Sequence, residues 1–301
     1  MLSVNLCGIR LENLTILASG IMGLSKASLD YVIKNGAGAV TIKSVSTNPR
    51  KGHSNPIIIT FEAGMMNAVG YSNPGYKEAL KEFKNMKLSA PVIGSIVGQD
   101  AEEFAFLTEN FIEKLDFDAV EIPLSCPHTP GYGTLAGHGT PEATYEITKA
   151  VREKTKLPIF VKVSPNIAAI GAVAKAAEKA GANAITAVNT MGPGMVINPE
   201  TTQPVLDFKM GGISGPALKP VAVRCIYDIY KSVKIPIIGV GGVTTGRDAI
   251  EMIMAGATAV GVGSAIYYRG IDVFEKISNE IKEFMLANNY KEVKEMIGLA
   301  H

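Results

Sequence analysis

Short apolar runs rich in β-branched residues alternate along this chain with longer stretches in which apolar residues return every three or four positions. The runs are TILAS (15–19), GAGAVTIKS (36–44), APVIGSIVG (90–98), FDAVEIPLS (117–125), LPIFVKVSP (157–165), GANAITAVN (181–189), IPIIGVGGV (235–243) and GATAVGVGS (256–264). Between them lie amphipathic segments such as AEEFAFLTENFIEKL (101–115) and IAAIGAVAKAAEKA (167–180). A strand that reads as a continuous apolar run is buried on both faces, the condition of parallel strands covered by helices. Gly36, Gly181 and Gly256 stand where a helical stretch ends just before a strand, the left-handed position that closes many helices. Proline at a strand entrance, as at Pro91, Pro158 and Pro236, gives up a hydrogen bond that the first residue does not need.

Eight such strand–helix repeats predict an α/β fold, the (β/α)8 TIM barrel, as a single domain over residues 1–301. A short N-terminal strand extension precedes it, and a polar excursion follows the second strand. A doubly wound open sheet is the alternative, but its first turn should carry G-x-G-x-x-G, and ASGIMGLSK (18–26) matches that poorly.

Active sites of such barrels gather at the C-terminal strand ends. Those ends hold Ser19 and Gly20, Lys43 and Ser44, Ser95, Ser125 and Cys126, Lys162 and Asn166, Asn189 and Thr190, Gly241 and Gly242, and Gly263 and Ser264. Lysine and asparagine there are costly to bury without partners. Lys162, inside PIFVKVSPN, belongs either to a structural ion pair or to a bound ligand, and Lys43 poses the same question. The glycine pairs on the last two strands, each opening onto a helix, match the phosphate site of many barrels; turn formation is their plainer reading. In MMNAVGYSNPG (65–75), Asn73 fits a turn, whereas the Asn67 amide could read a heterocyclic imide as donor and acceptor, as could Asn189.

Composition narrows the partners. The net charge is +1 over 301 residues, with basic residues dispersed, which gives no footing for nucleic acid. No signal-peptide pattern and no run of some 18 apolar residues is present, so no membrane span is expected and the cytoplasm is the expected location. The three cysteines, Cys7, Cys126 and Cys225, form no C-x-x-C pair, so neither a disulfide framework nor a metal site is expected. Cys7 and Cys225 lie on strand and helix patterns. Cys126 opens a loop of glycine, proline and histidine, CPHTPGYGTLAGHG (126–139). It is either an inert thiol or a general base on a closing loop, since a thiol needs only a modest electropositive influence to titrate near neutrality.

At these residues the sequence resembles the class 1 dihydroorotate dehydrogenases, and within them the NAD-linked class 1B catalytic subunit of archaeal type. The resemblance spans essentially the whole chain through LASG (17–20), TIKSVS (41–46), MNAVGYSNPG (66–75), LSCPH (124–128), VKVSPN (161–166), NT (189–190), GGISGPALKPVA (211–222), GVGGV (239–243) and GVGS (261–264). It implies FMN, one per chain, and oxidation of dihydroorotate to orotate in de novo pyrimidine biosynthesis. By that resemblance Cys126 takes the C5 proton while hydride passes to flavin N5. Lys162 supports the reduced flavin. Ser19, Lys43, Ser44, Ser95, Val188, Gly215, Gly241, Gly242, Gly263 and Ser264 contribute to the FMN site. Lys43, Asn67, Asn189 and Thr190 hold the substrate, with Ala68, Val69, Gly70 and Tyr71 closing over it.

Departures from the family pattern bear on the substrate. Pro123 stands where an asparagine usually lies three residues before the cysteine, Ser95 where an asparagine is common, and His128 where Cys-Pro is often followed by asparagine. Cys-Pro-His also resembles the pyrimidine-reducing domain of dihydropyrimidine dehydrogenase, which makes a uracil-type reaction the alternative. A colourless barrel using Lys162 for Schiff-base or acid–base chemistry is the non-redox alternative. Three cysteines cannot ligate an iron–sulfur cluster, which needs four ligands. The resemblance accordingly implies a partner subunit carrying FAD and [2Fe–2S], in a heterotetramer built on a catalytic dimer, with NAD as final acceptor.

Overall fold

The structure, a computed structural model, describes residues 1–124 and 139–301. Eight parallel strands close into a barrel: β1 (Thr15–Leu17), β2 (Ala39–Thr41), β3 (Val92–Ser95), β4 (Ala119–Pro123), β5 (Ile159–Val163), β6 (Ala184–Ala187), β7 (Ile237–Val240) and β8 (Ala259–Val262). Each pairs with the next in sequence, and β8 closes on β1 with Val260 opposite Thr15 and Val262 opposite Leu17. Nearly every residue in these strands is buried, which is why they read as unbroken apolar runs. The helices α1 (Lys26–Lys34), α2 (Tyr76–Phe83), α3 (Ala101–Asn110), α4 (Pro141–Arg152), α5 (Ile170–Lys179), α6 (Lys219–Tyr230), α7 (Gly246–Met254), α8 (Ala265–Arg269) and α9 (Val273–Ala287) follow the strands and cover them.

Local chemistry sets the helix starts. Thr140 accepts from the Ala143 amide at 3.2 Å with Pro141 at the first helical position of α4. Thr245 and Asp248 cap α7 reciprocally: the Asp248 amide donates to Thr245 Oγ1, and the Thr245 amide donates to the Asp248 carboxylate.

The N-terminal extension is a hairpin of Val4–Leu6 and Ile9–Leu11, turned by Cys7 and Gly8, both left-handed. Its Leu6 and Leu11 are buried, and the Cys7 thiol donates to the Asn183 carbonyl, 3.1 Å away, just before β6. The hairpin therefore sits at the N-terminal end of the barrel.

The excursion after β2 is more regular than its polar sequence suggests. Ile58–Phe61 and Gly64–Asn67 form a hairpin that joins Gly211–Ser214 and Met191–Gly194, contributed by a second excursion after β6, in a four-stranded antiparallel sheet. That second excursion is not part of the sequence expectation. The sheet has a small core of its own in Met66, Ala68 and Leu206, with Phe61 and Phe208 packed against it. Among the described residues no helix is long and apolar enough to cross a membrane.

Candidate active site

Between this sheet and the C-terminal strand ends lies a cleft of about 1260 Å3, open solvent at its mouth included. Its floor comes from β4, β5 and the end of β2, its roof from Asn67, Met65 and Ser214 of the sheet, and one wall from the ends of β7 and β8.

The floor is charged. Lys162 on β5 and Glu121 on β4 are 6% and 4% exposed, and both line the cleft. Lys162 Nζ lies 3.8 Å from Glu121 Oε1, at the outer edge of an ion pair. Thr186 on β6 donates to Glu121 Oε2 at 3.0 Å, whereas Oε1, though buried, has no hydrogen-bond partner among the described residues. Register explains the grouping: Lys162 is level with Thr186 on one side and Pro123 on the other, and Glu121 lies two residues below Pro123. Beside them Ser44 and Ser95 hydroxyls are 2.9 Å apart, and Ser19 lies 3.2 Å from Ser44 while donating to the Ile42 carbonyl.

The rim is held from behind. Gly70 and Tyr71 have positive φ, and the segment they belong to is fixed by Asn73, which is buried. Asn73 Oδ1 accepts from the Ser46 and Gly75 amides, and Nδ2 donates to Ser46 Oγ and to the Tyr71 carbonyl at 2.7 Å. The Asn73–Pro74 turn expected from sequence thus anchors the loop. The Ala68 amide donates to the Ile57 carbonyl, the His53 amide to Val69, and Arg50 Nε to the Gly70 carbonyl. The His53 ring stacks on Phe208 at 3.9 Å. Burial, then the Arg50 charge, lowers the His53 pKa below its ordinary value, against a smaller opposing pull from Asp207. Lys43 Nζ lies 5.9 Å from the Tyr71 ring centre. Asn67 Nδ2 donates to the Gly212 carbonyl at 3.4 Å, and Asn189 Oδ1 accepts from the Thr190 amide at 2.8 Å.

The wall at β7 and β8 is glycine by necessity. Gly241 and Gly242 have φ of 132° and 78°, and a Cβ on Gly242 would lie 2.7 Å from the Gly215 carbonyl oxygen. Gly263 differs: its missing Cβ would meet nothing closer than Ile21 at 3.5 Å, because that side faces the cleft. The amides that lead into α7 are already engaged. Those of Thr244 and Thr245 donate to Asp248, and that of Gly246 donates to Glu280. Any anion here meets the backbone of Gly242, Val243, Gly263 and Ser264, which line the cleft, rather than that helix end.

The structure brings most of the sequence candidates to this one cleft: Ser19, Lys43, Ser44, Asn67, Val69, Gly70, Tyr71, Lys162, Val188, Asn189, Thr190, Gly215, Gly241, Gly242, Gly263 and Ser264 all line it. Ser95 and Ala68, each fully buried, lie behind the lining, Ser95 bonded to Ser44. Cys126, with His128 and His138, lies outside the described residues. Pro123 lines the cleft at the end of β4. Glu121 is the residue that sequence reasoning passed over. Its signal was the one that marked Lys162, a lone charge inside an apolar parallel strand. The remaining thiols are withdrawn from chemistry: burial pushes Cys7 up to about 11, and Cys225, fully buried on α6, is also raised chiefly by burial.

The family model for dihydroorotate dehydrogenase matches residues 1–285. The chain belongs to the dihydroorotate dehydrogenase family. Among its curated relatives is the dihydroorotate dehydrogenase B (NAD(+)) catalytic subunit of Methanothermobacter thermautotrophicus, 45% identical over 100% of this chain and 99% of that protein. The subunits of the same name from Pyrococcus abyssi and Methanocaldococcus jannaschii are 45% and 42% identical over 100% of this chain and 99% and 98% of theirs. DHODH from Eimeria tenella, solved in complex with ferulenol, is similar with a TM-score of 0.85, over 100% of this chain and 88% of that one; at 23% identity the likeness concerns the fold. Of the two reactions weighed from sequence, these family members' names carry dihydroorotate oxidation and not the reduction of uracil.

Proposed function

We propose that this chain is the catalytic subunit of an NAD-linked dihydroorotate dehydrogenase, oxidising dihydroorotate to orotate in de novo pyrimidine biosynthesis with FMN as its resident cofactor. The observation that carries this reading is the cleft's polarity. A buried ammonium, Lys162, stands at one end, and at the other a glycine wall includes Gly263, whose missing side chain faces open space. That arrangement fits a flat heterocycle carrying a phosphate. When bound, FMN supplies the two-electron acceptor.

The chain's own residues do the rest. Gly242, Val243, Gly263 and Ser264 offer backbone to the phosphate, as barrels commonly do after their last two strands. Lys162 would supply positive charge to the bound ring, which would favour its reduced form. Ser19, Ser44, Ser95, Val188, Gly215 and Gly241 shape the ring site, Ser95 acting through Ser44. Lys43 offers a cation to the orotate carboxylate. Asn67, Asn189 and Thr190 hold the pyrimidine amides, and Ala68 to Tyr71 form the lip that excludes water. Cys126 is the base that removes the C5 proton. Electrons leave to NAD through a separate subunit carrying FAD and a [2Fe–2S] cluster, in a heterotetramer built on a dimer of this chain.

Anaerobic mixing of the FMN-loaded chain with dihydroorotate tests this. Bleaching of the yellow absorbance is the expected result. A flavin that stays yellow with dihydroorotate and bleaches with dihydrouracil would overturn the substrate, and a protein that takes up no FMN would overturn the whole reading.

A further inference from the structure

Glu121 has no role in the reading above, yet a buried carboxylate is costly to keep. Its carboxylate is buried, and among the described residues one oxygen has no donor. A pair serving only to solvate Lys162 would close to hydrogen-bond distance and fill its remaining lone pairs, since buried ion pairs offset their desolvation only with good geometry. Here the reverse holds. Thr186 holds Oε2 at 3.0 Å from the β6 side, leaving Oε1 at 3.8 Å from the lysine. The carboxylate is fixed one layer below Lys162 and does not capture it, so the ammonium remains on the cleft surface with a fixed negative charge beneath it.

We propose that Glu121 sets the reduction potential of bound FMN by placing a fixed negative charge beneath Lys162 that balances the charge of its ammonium. This rests on the FMN reading. The sign follows from electrostatics in a low-dielectric site, where a fixed charge acts strongly on any charge that develops nearby. Lys162 favours the electron-rich reduced cofactor and Glu121 opposes it; the neutral pair keeps the potential low enough for electrons to pass onward.

The test is a cycle of three variants, E121Q, K162Q and the double variant. For each, the affinity for oxidised FMN is measured by fluorescence quenching, and the potential by dye equilibration in mildly acid buffer. Against wild type, E121Q favours reduced over oxidised FMN by at least tenfold, which for a two-electron couple is about 30 mV upward. K162Q moves the ratio at least tenfold the other way. The double variant, neutral like the wild-type pair, returns to within about threefold of wild type. A purely structural Glu121 would not give shifts of opposite sign that cancel. An E121Q ratio within twofold of wild type overturns the proposal, as does a double variant that stays where K162Q lies. Where E121Q does not fold, the step from K162Q to the double variant reads the same charge. A wild-type chain that binds no FMN would overturn the FMN reading itself, whereas one that binds FMN with a potential indifferent to Glu121 overturns only this inference.

Discussion

At the scale of single residues, the two kinds of glycine in the cleft wall separate folding from binding. Gly263 has room for a side chain, but that room belongs to the cofactor. Gly263→Val should leave the melting temperature close to wild type and lower FMN affinity ~100-fold or more, some 2.8 kcal/mol at about 1.4 kcal/mol per decade. Gly242→Ala should instead destabilise by about 1–3 kcal/mol, because its φ of 78° strains any other residue. Thermal melts with FMN titrations distinguish the two, and a colourless but stable Gly242→Ala protein would contradict the assignment. Cys126→Ser should still bind FMN and reduce it far more slowly near neutral pH, since a hydroxyl is much less acidic than a thiol; near-normal flavin reduction in a stopped-flow trace would remove Cys126 from the mechanism. Sequence exposed these residues unevenly. Lys162 announced itself as a charge in an apolar strand, and Glu121, equally anomalous in DAVEIPL, did so only once β4 and β5 were paired in register.

At the scale of elements, the loop after β2 and the α6–α7 corner each carry a test. Asn73→Ala leaves the Ser46 amide, the Gly75 amide and the Tyr71 carbonyl short of a partner. A buried polar group so stranded costs about 1–3 kcal/mol. The expected result is a lower melting temperature and a several-fold higher KM for dihydroorotate, with FMN affinity little changed, because the loop forms the lip and not the phosphate wall. At the corner, burial pushes Asp248 up, but hydrogen bonds from Lys219, Thr245 and Thr244 outweigh it and hold its pKa below the ordinary value. A carboxyl lowered on folding adds stability that is complete above its unfolded pKa and is lost as pH falls through the folded one. Melting temperature should therefore decline with acid below about pH 4, and D248N should be the less stable protein at neutral pH, with the gap narrowing through that acid range. A constant gap would place the interaction elsewhere. These elements also mark where sequence stops being legible. The barrel strands are buried on both faces and announce themselves. The four strands over the cleft are short, two of them are glycine-rich, and Gly64–Asn67 pairs with Gly211–Ser214 far along the chain. Nothing local in the sequence encodes such a pairing.

At the scale of the molecule, electron flow follows from where the thiols lie. Cys7 is bonded to Asn183 at the end of the barrel opposite the cleft, and Cys225 is buried on the inner face of α6, so of three cysteines only Cys126 belongs to the sequence motif assigned to the active site. A [2Fe–2S] cluster held by four cysteines needs one more than the three in this chain. On the function proposed above, a flavin reduced in this cleft would hand its electrons to another protein before they reach NAD. With excess dihydroorotate and NAD under anaerobic conditions, the isolated chain should bleach once and form no more NADH than its flavin content accounts for. Ferricyanide should restore the yellow colour repeatedly, because a small oxidant can reach the open mouth of the cleft. Adding an FAD and iron–sulfur subunit should convert the single bleaching into continuous NADH formation, followed by its absorbance. Steady NAD reduction by this chain alone would mean that its cleft accepts the nicotinamide directly, and the partner subunit would then be unnecessary.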